Sequence, residues 1–239
     1  MKAAAYALLM LLLAAAMLAG FLQLPEPGAA DSPVQTHVSA DYVAGGTDAG
    51  GAANLVTAVL LNYRGLDTFG EVTVIFSALV AVLAVLAAAS GDRARKDAAS
   101  AEGETLPASP VVDFIVRLMA PFIATFAAFI MVSGAELPGG GFQGGVVLGA
   151  MLILLAVAVG RDRVDRMLRR GPLRWLRAAA PLTFTLVALL GLGVTGWWFG
   201  LPAAEPWRHL LLAALEVAIG IGGAAVLAGI FLALAGRSE

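Results

Sequence analysis

The chain has 239 residues, 60% of them hydrophobic and 13% charged, with a mean hydropathy of +0.88, a net charge of −2 and no cysteine. A soluble domain carries about 45–50% apolar and about 25% charged residues, so a bilayer is the natural solvent for this composition. Without cysteine the chain forms no disulfide, zinc–cysteine site or iron–sulfur ligation. Its two histidines argue against a histidine-rich metal or haem site, and its near-neutral charge gives no bulk basic character for nucleic acid.

A membrane-spanning helix needs about 20 mostly apolar residues. The first such stretch is 3–22. Lys2 before a Leu/Ala run resembles a secretory signal peptide, but an apolar run of about 20 residues is longer than a usual signal core. The stretch is therefore expected to stay as the first membrane helix. Residues 24–51, rich in Gly, Pro, Asp and Ser, are expected to be irregular. Residues 52–63 (AANLVTAVLLNY) are apolar but too short to span, which predicts a short interfacial or re-entrant helix. Asn54 is a candidate N-cap, although no capping box follows it.

The second span is 69–89, with Asp67 and Glu71 one turn apart at its outer end. Residues 91–110 (GDRARKDAASAEGETLPASP) have the composition of a linker. They divide the chain into a two-helix unit with a long outer segment, 1–90, and a four-helix unit, 111–239. The third span is 112–132, where Asp113 lies one turn before Arg117 and is placed to pair with it. The fourth, 142–160, follows Pro138-Gly139-Gly140-Gly141-Phe142-Gln143-Gly144-Gly145. This run lacks the Gly-Lys-Ser/Thr ending of a phosphate loop. Gly141, Gly145 and Gly149 recur every four residues and predict a flat packing face. Residues 161–177 hold seven arginines, read as a topology determinant, with an anionic-lipid or acidic-partner patch as the alternative. The last spans are 178–199 and 209–235, and Ala218/Gly222 and Ala225/Gly229 predict a second small-residue face on the sixth. The fold class is an all-α membrane protein with about six transmembrane helices plus the short helix near 52–63.

With Met1 inside, all but Arg64 and Arg208 of the 15 basic residues fall on the inner side, counting Arg117 as snorkelling inward. The positive-inside rule then predicts both termini in the cytoplasm.

Carboxylates inside the hydrocarbon are the most informative residues. One at mid-membrane costs about 2.5–3.5 kcal/mol on insertion scales. Glu71, and Glu216 about two turns into the sixth helix on the face of His209, are the candidates. Facing a hydrated path, either would hold a proton or a sodium ion. Otherwise Glu71 is merely interfacial and Glu216 merely bonds a neighbouring helix. No catalytic triad, nucleotide motif or metal-ligand cluster is legible, and no cofactor is expected.

Residues 52–76 (AANLVTAVLLNYRGLDTFGEVTVIF) resemble the MbhE-type unit. That unit is the C-terminal part of the large MrpA protein of the antiporters, or a separate chain in archaeal membrane-bound hydrogenases. Asn54, Thr57, Arg64, Asp67, Thr68 and Glu71 carry the match. Residues 112–160 resemble the MrpB family, called MbhF in the hydrogenases, through PGGGFQGGVVLGAMLIL. Here Pro138, Gly139, Gly140, Gly141, Phe142, Gln143, Gly144 and Gly145 match. The two units usually stand on different chains, and in this sequence they appear fused.

The resemblance implies a non-catalytic subunit of a hetero-oligomeric membrane complex that exchanges Na⁺ and H⁺. It maps the functional acid of the MbhE motif onto Glu71, and loop positions that matter for antiport onto Pro138 and Phe142. The sequence reading places Glu71, aided by Asp67 and Thr57, on a cation path at the interface with partner subunits, and Glu216 as a second acidic station. Two alternatives stand beside it: membership of a redox-driven complex such as a membrane-bound [NiFe] hydrogenase, and a scaffold that conducts nothing.

Overall fold

The computed structural model describes residues 2–88, 109–169, 171–202, 204 and 206–235. Every regular element in them is helical: α1 (Lys2–Phe21), α2 (Pro33–Thr36), α3 (Val38–Gly50), α4 (Leu55–Thr57), a π-helical segment (Ala58–Tyr63), α5 (Gly65–Ala88), α6 (Pro110–Val132), α7 (Gly141–Val159), α8 (Arg161–Arg169), a 3-10 segment (Gly171–Ala178), α9 (Ala179–Thr195) and α10 (Trp207–Ala235). Five stretches, beginning at Gly65, Pro110, Gly141, Trp175 and Trp207, are long and apolar enough to cross a membrane. The N-terminal apolar stretch lies on α1, which is 20 residues long. The all-α membrane reading therefore holds, with five candidate spans and α1 at the place of the first expected one.

One expectation for the connecting segments is corrected. Residues 24–51 are not irregular throughout, since α2 and α3 occupy much of that segment, with a break at Gly46 (φ 47°). The arginine-rich stretch 161–177 winds into α8 and the 3-10 segment. Alternating charge and apolar residues at helical spacing make α8 amphipathic, and Val164 and Leu168 are buried. The expected linker lies outside the described residues as far as residue 108.

The chain forms two units, Met1–Gly45 and Gly46–Glu239. In the second, α10 is the central helix and packs on α7, α9, α5 and α6. Half of its apolar window is buried, against 11% for α5, so α5 leaves most of its surface to lipid or to another chain. Small residues permit this centrality. Gly145 lies against the Gly220 backbone, Gly149 against Leu227 and Ala224, and Gly222 against Ala180. These are the small-residue faces expected from the sequence, and dispersion between closely approaching backbones is what holds helices together in lipid. Beside them, Phe69, Phe184 and Phe199 pack with ring centroids 5.9–6.2 Å apart, in the offset or tilted arrangements aromatic rings favour.

Candidate functional site

Asn54 begins the site. Its Oδ1 accepts from the Val56 N–H (3.0 Å), capping α4 as its position suggested. Its Nδ2 donates to the carbonyl oxygens of Gly134 and Leu137, each at 2.9 Å, and its backbone N–H donates to Ala135 O. One side chain thus clamps α4 onto the turn between α6 and α7. The helix then loosens into a π turn, a form often found at functional sites. Thr68 repairs the gap, donating its hydroxyl to Leu60 O at 2.7 Å with its side chain fully buried.

The clamp places Thr57 beside Glu216. The Thr57 hydroxyl is 2.7 Å from Gly134 O and 3.0 Å from Glu216 Oε1, and both residues are buried, at 2% and 5% exposure. Glu216 Oε2 accepts the Gly141 N–H, the first free donor of α7. The glycines make this approach possible. Gly139 and Gly140 have φ of 139° and 133°, a region that side chains disfavour. A Cβ at Gly140 would stand 2.9 Å from Glu216 Oε2, and one at Gly134 would stand 3.1 Å from Oε1. The carboxyl is held in a cage of backbone and one hydroxyl. Glu216 joins none of the ion pairs among the described residues.

The other residues singled out in the sequence lie elsewhere. Asp67 pairs with Arg64 (2.6 Å to Nε) on the surface. Glu71 is exposed on α5, so the structure brings Thr57 to Glu216 rather than to Glu71. Phe142 packs against the core, while Pro138 and Gln143 are exposed. Arg117 and Asp113 pair at 2.8 Å as their spacing suggested. His209 lies 3.9 Å from Glu136 near the start of α10. The sequence shows Asn54 as a cap and as part of the MbhE-type motif but not as a clamp, and gives no sign of Gly134, because their role depends on partners about 80 residues away. Among the described residues no group of three or more His, Cys, Asp or Glu side chains is placed to hold a metal.

The family described as a domain related to the MnhB subunit of Na⁺/H⁺ antiporters matches residues 111–237, and that described as the E subunit of MBH matches residues 11–101. A Rhizobium meliloti protein described as the probable A/B subunit of a K⁺/H⁺ antiporter is 31% identical over 172 residues, covering 64% of this chain and 16% of that protein. An uncharacterized protein of Methanocaldococcus jannaschii is 26% identical over 154 residues, covering 61% of this chain and 58% of that protein. The chain thus spans less than two thirds of either curated relative. Among solved structures, a chain of the membrane-bound sulfane sulfur reductase, an archaeal respiratory membrane complex, superposes with a TM-score of 0.69 and 27% identity over 98% of both chains. A chain of the Mrp complex from Dietzia sp. DQ12-45-1b superposes with the same TM-score, 0.69, at 21% identity, over 98% of this chain and 26% of that one, and shares the fold. Thr57 falls within the MBH-type region and Gly134, Gly141 and Glu216 within the MnhB-related region, so the cage is built where the two regions meet.

Proposed function

This chain belongs to the family of domains related to the MnhB subunit of Na⁺/H⁺ antiporters, and on that premise we propose that it is a non-catalytic membrane component of a multisubunit monovalent-cation/H⁺ antiporter-type complex. It contributes side chains to the ion path and needs partner subunits to complete it. The observation that carries the reading is the buried Glu216, held by Thr57 and Gly141 with no cationic partner among the described residues. A carboxyl group kept inside an apolar bundle at a cost of about 2.5–3.5 kcal/mol is expected to have a role.

Glu71 and Asp67 form the outer part of the same proposal. Both are exposed on α5, and a carboxylate facing lipid is costly, so this face is where a partner subunit meets the chain. The 1–90 unit, the 91–110 linker and the 111–239 unit follow the same reading, with both termini cytoplasmic by the positive-inside rule. Glu216→Gln and Glu71→Gln, each made in the intact complex, test it. Both variants are expected to assemble and to lose cation/H⁺ exchange in everted vesicles. Normal exchange by both would end the proposal.

A second reading has an observation of its own. The superposition on the sulfane sulfur reductase chain covers 98% of both chains, whereas the antiporter polypeptides are matched over a small part of their length. This supports a place in a redox-driven complex, where the same acids would work under electron transfer. Purification of the complex decides: copurifying subunits with iron or nickel favour the redox assembly, and their absence favours the antiporter.

A further inference from the structure

Hydrogen bookkeeping inside the cage says what Glu216 holds. The Thr57 oxygen has two close oxygen neighbours, Gly134 O at 2.7 Å and Glu216 Oε1 at 3.0 Å. Both distances lie within the hydrogen-bonding range. A threonine hydroxyl supplies one hydrogen, and a carbonyl supplies none. With an ionised Glu216 the single threonine hydrogen would be shared between the two contacts or serve only one of them. A hydrogen on the carboxyl would let each contact carry its own hydrogen bond. In that arrangement Oε1–H would donate to Thr57 Oγ1 and the Thr57 hydroxyl to Gly134 O, while the Gly141 N–H donates to Oε2.

We propose that the Glu216 cage is a proton-holding station and not a cation site, with Thr57 as the positioning residue that orients the bound proton. This deepens the functional reading above and rests on it for its place in transport. The space supports a proton. Oε1, Oγ1 and Gly134 O already stand at hydrogen-bonding distances, whereas a metal ion must push its oxygen ligands apart to sit among them. The cage is also close-walled, since even a methyl at Gly134 or Gly140 would come within 3.1 Å of a carboxyl oxygen.

The ionisable groups on the surrounding elements are turned to other work. Glu136 and His209 lie beside each other at the surface, Asp67 pairs with Arg64, Glu71 is exposed, and α7 and α9 carry no charged residue. Among the described residues no cation forms an ion pair with Glu216: Arg117 on α6 pairs with Asp113, Arg208 lies against Gly51, and Arg177 lies against Gly229 farther along α10. Loss of the proton to water would require the Thr57 hydrogen to turn from Gly134 O to Oε1. Gly134 O would keep its bond from Asn54 Nδ2, at 2.9 Å. The hydroxyl is thus a two-position hinge for one hydrogen, with both positions satisfied.

Infrared difference spectroscopy on the detergent-purified complex containing this chain tests the proposal at neutral pH. The wild-type minus Glu216→Gln spectrum is expected to show a protonated-carboxyl C=O stretch. That band should persist when choline is replaced by saturating Na⁺ or K⁺. Thr57→Val removes the acceptor for the carboxyl hydrogen and should shift the band to higher frequency, and Thr57→Ser should restore it. Should Glu216→Gln fail to assemble, the Thr57→Val minus wild-type spectrum carries the same band shift. Loss of carboxylate stretches alone overturns the proposal, as does disappearance of the C=O band on adding Na⁺ or K⁺ at fixed pH. The spectrum is independent of flux: a cation-insensitive C=O band with normal exchange by Glu216→Gln would refute the transport role and leave the protonated cage standing.

Discussion

Gly141→Ala is the most demanding test of the packing that builds the cage. A Cβ at this position would run into the Glu216 carbonyl oxygen, stand 2.8 Å from Ile219 Cβ and 3.0 Å from the Glu216 carbonyl carbon. Carbon atoms rest at about 3.5–4.0 Å, so the start of α7 must retreat from α10 by roughly 0.5–1 Å. Backbone and a β-branched Cβ do not give way as a flexible side-chain tip does. Overpacking of this kind costs about 1–3 kcal/mol, and the same retreat pulls the Gly141 N–H off Glu216 Oε2.

Gly149→Ala, two turns along the same stripe, is the internal control. Its Cβ would meet Leu227 at 3.2–3.3 Å and the Ala224 Cα at 3.4 Å, tight contacts largely with a movable side chain. The assay is recovery of assembled complex after a thermal ramp in detergent, followed by exchange in vesicles made from the survivors. Gly141→Ala should be recovered at a clearly lower temperature and lose exchange, and Gly149→Ala should stay near wild type. Equal behaviour of the two variants, or a neutral Gly141→Ala, would refute the argument that close approach at Gly141 is what holds the carboxyl in place.

Asn54→Ala removes the α4 cap and both bonds to the α6–α7 turn. A lost cap costs about 0.5–2 kcal/mol, and limited proteolysis should cut the 133–141 turn faster in this variant. Thr68→Val leaves the Leu60 carbonyl without its side-chain partner in a buried position, for about 1–3 kcal/mol, read as a lower detergent melting temperature. Arg64→Ala should change stability by less than about 1 kcal/mol, because an exposed ion pair is worth little, so its melting temperature should match wild type. Gly193→Ala points a methyl into open space on α9 and should leave stability unchanged or raise it by about 0.5–1 kcal/mol through helix propensity.

Much of this molecule can be read from local chemistry. Hydropathy over about 20 residues marks the spans because the bilayer imposes one length on every helix. Four-residue spacing of Gly and Ala marks the contact faces of α7 and α10 because i and i+4 lie on one side of a helix. The Asn54 cap and the Asp113–Arg117 pair are legible for the same reason, since each partner lies within a turn. The helices within 24–51 are not legible, because Gly- and Asp-rich composition disfavours helix locally, and tertiary context overrides a weak propensity. The π turn at Ala58–Tyr63 has no periodic signature at all.

Only the tertiary structure decided which acid is enclosed. On sequence alone Glu71 and Glu216 have comparable standing, and Thr57 goes with the former. Folding sets Thr57 against Glu216, 159 positions away, and leaves Glu71 on the outer surface of α5. The physical reason is that a hydrogen bond acts over about 3 Å in space and is blind to separation along the chain. Amino-acid order announces the membrane, the helices and their flat faces. Which buried oxygen meets which hydroxyl is set by how those faces close on one another.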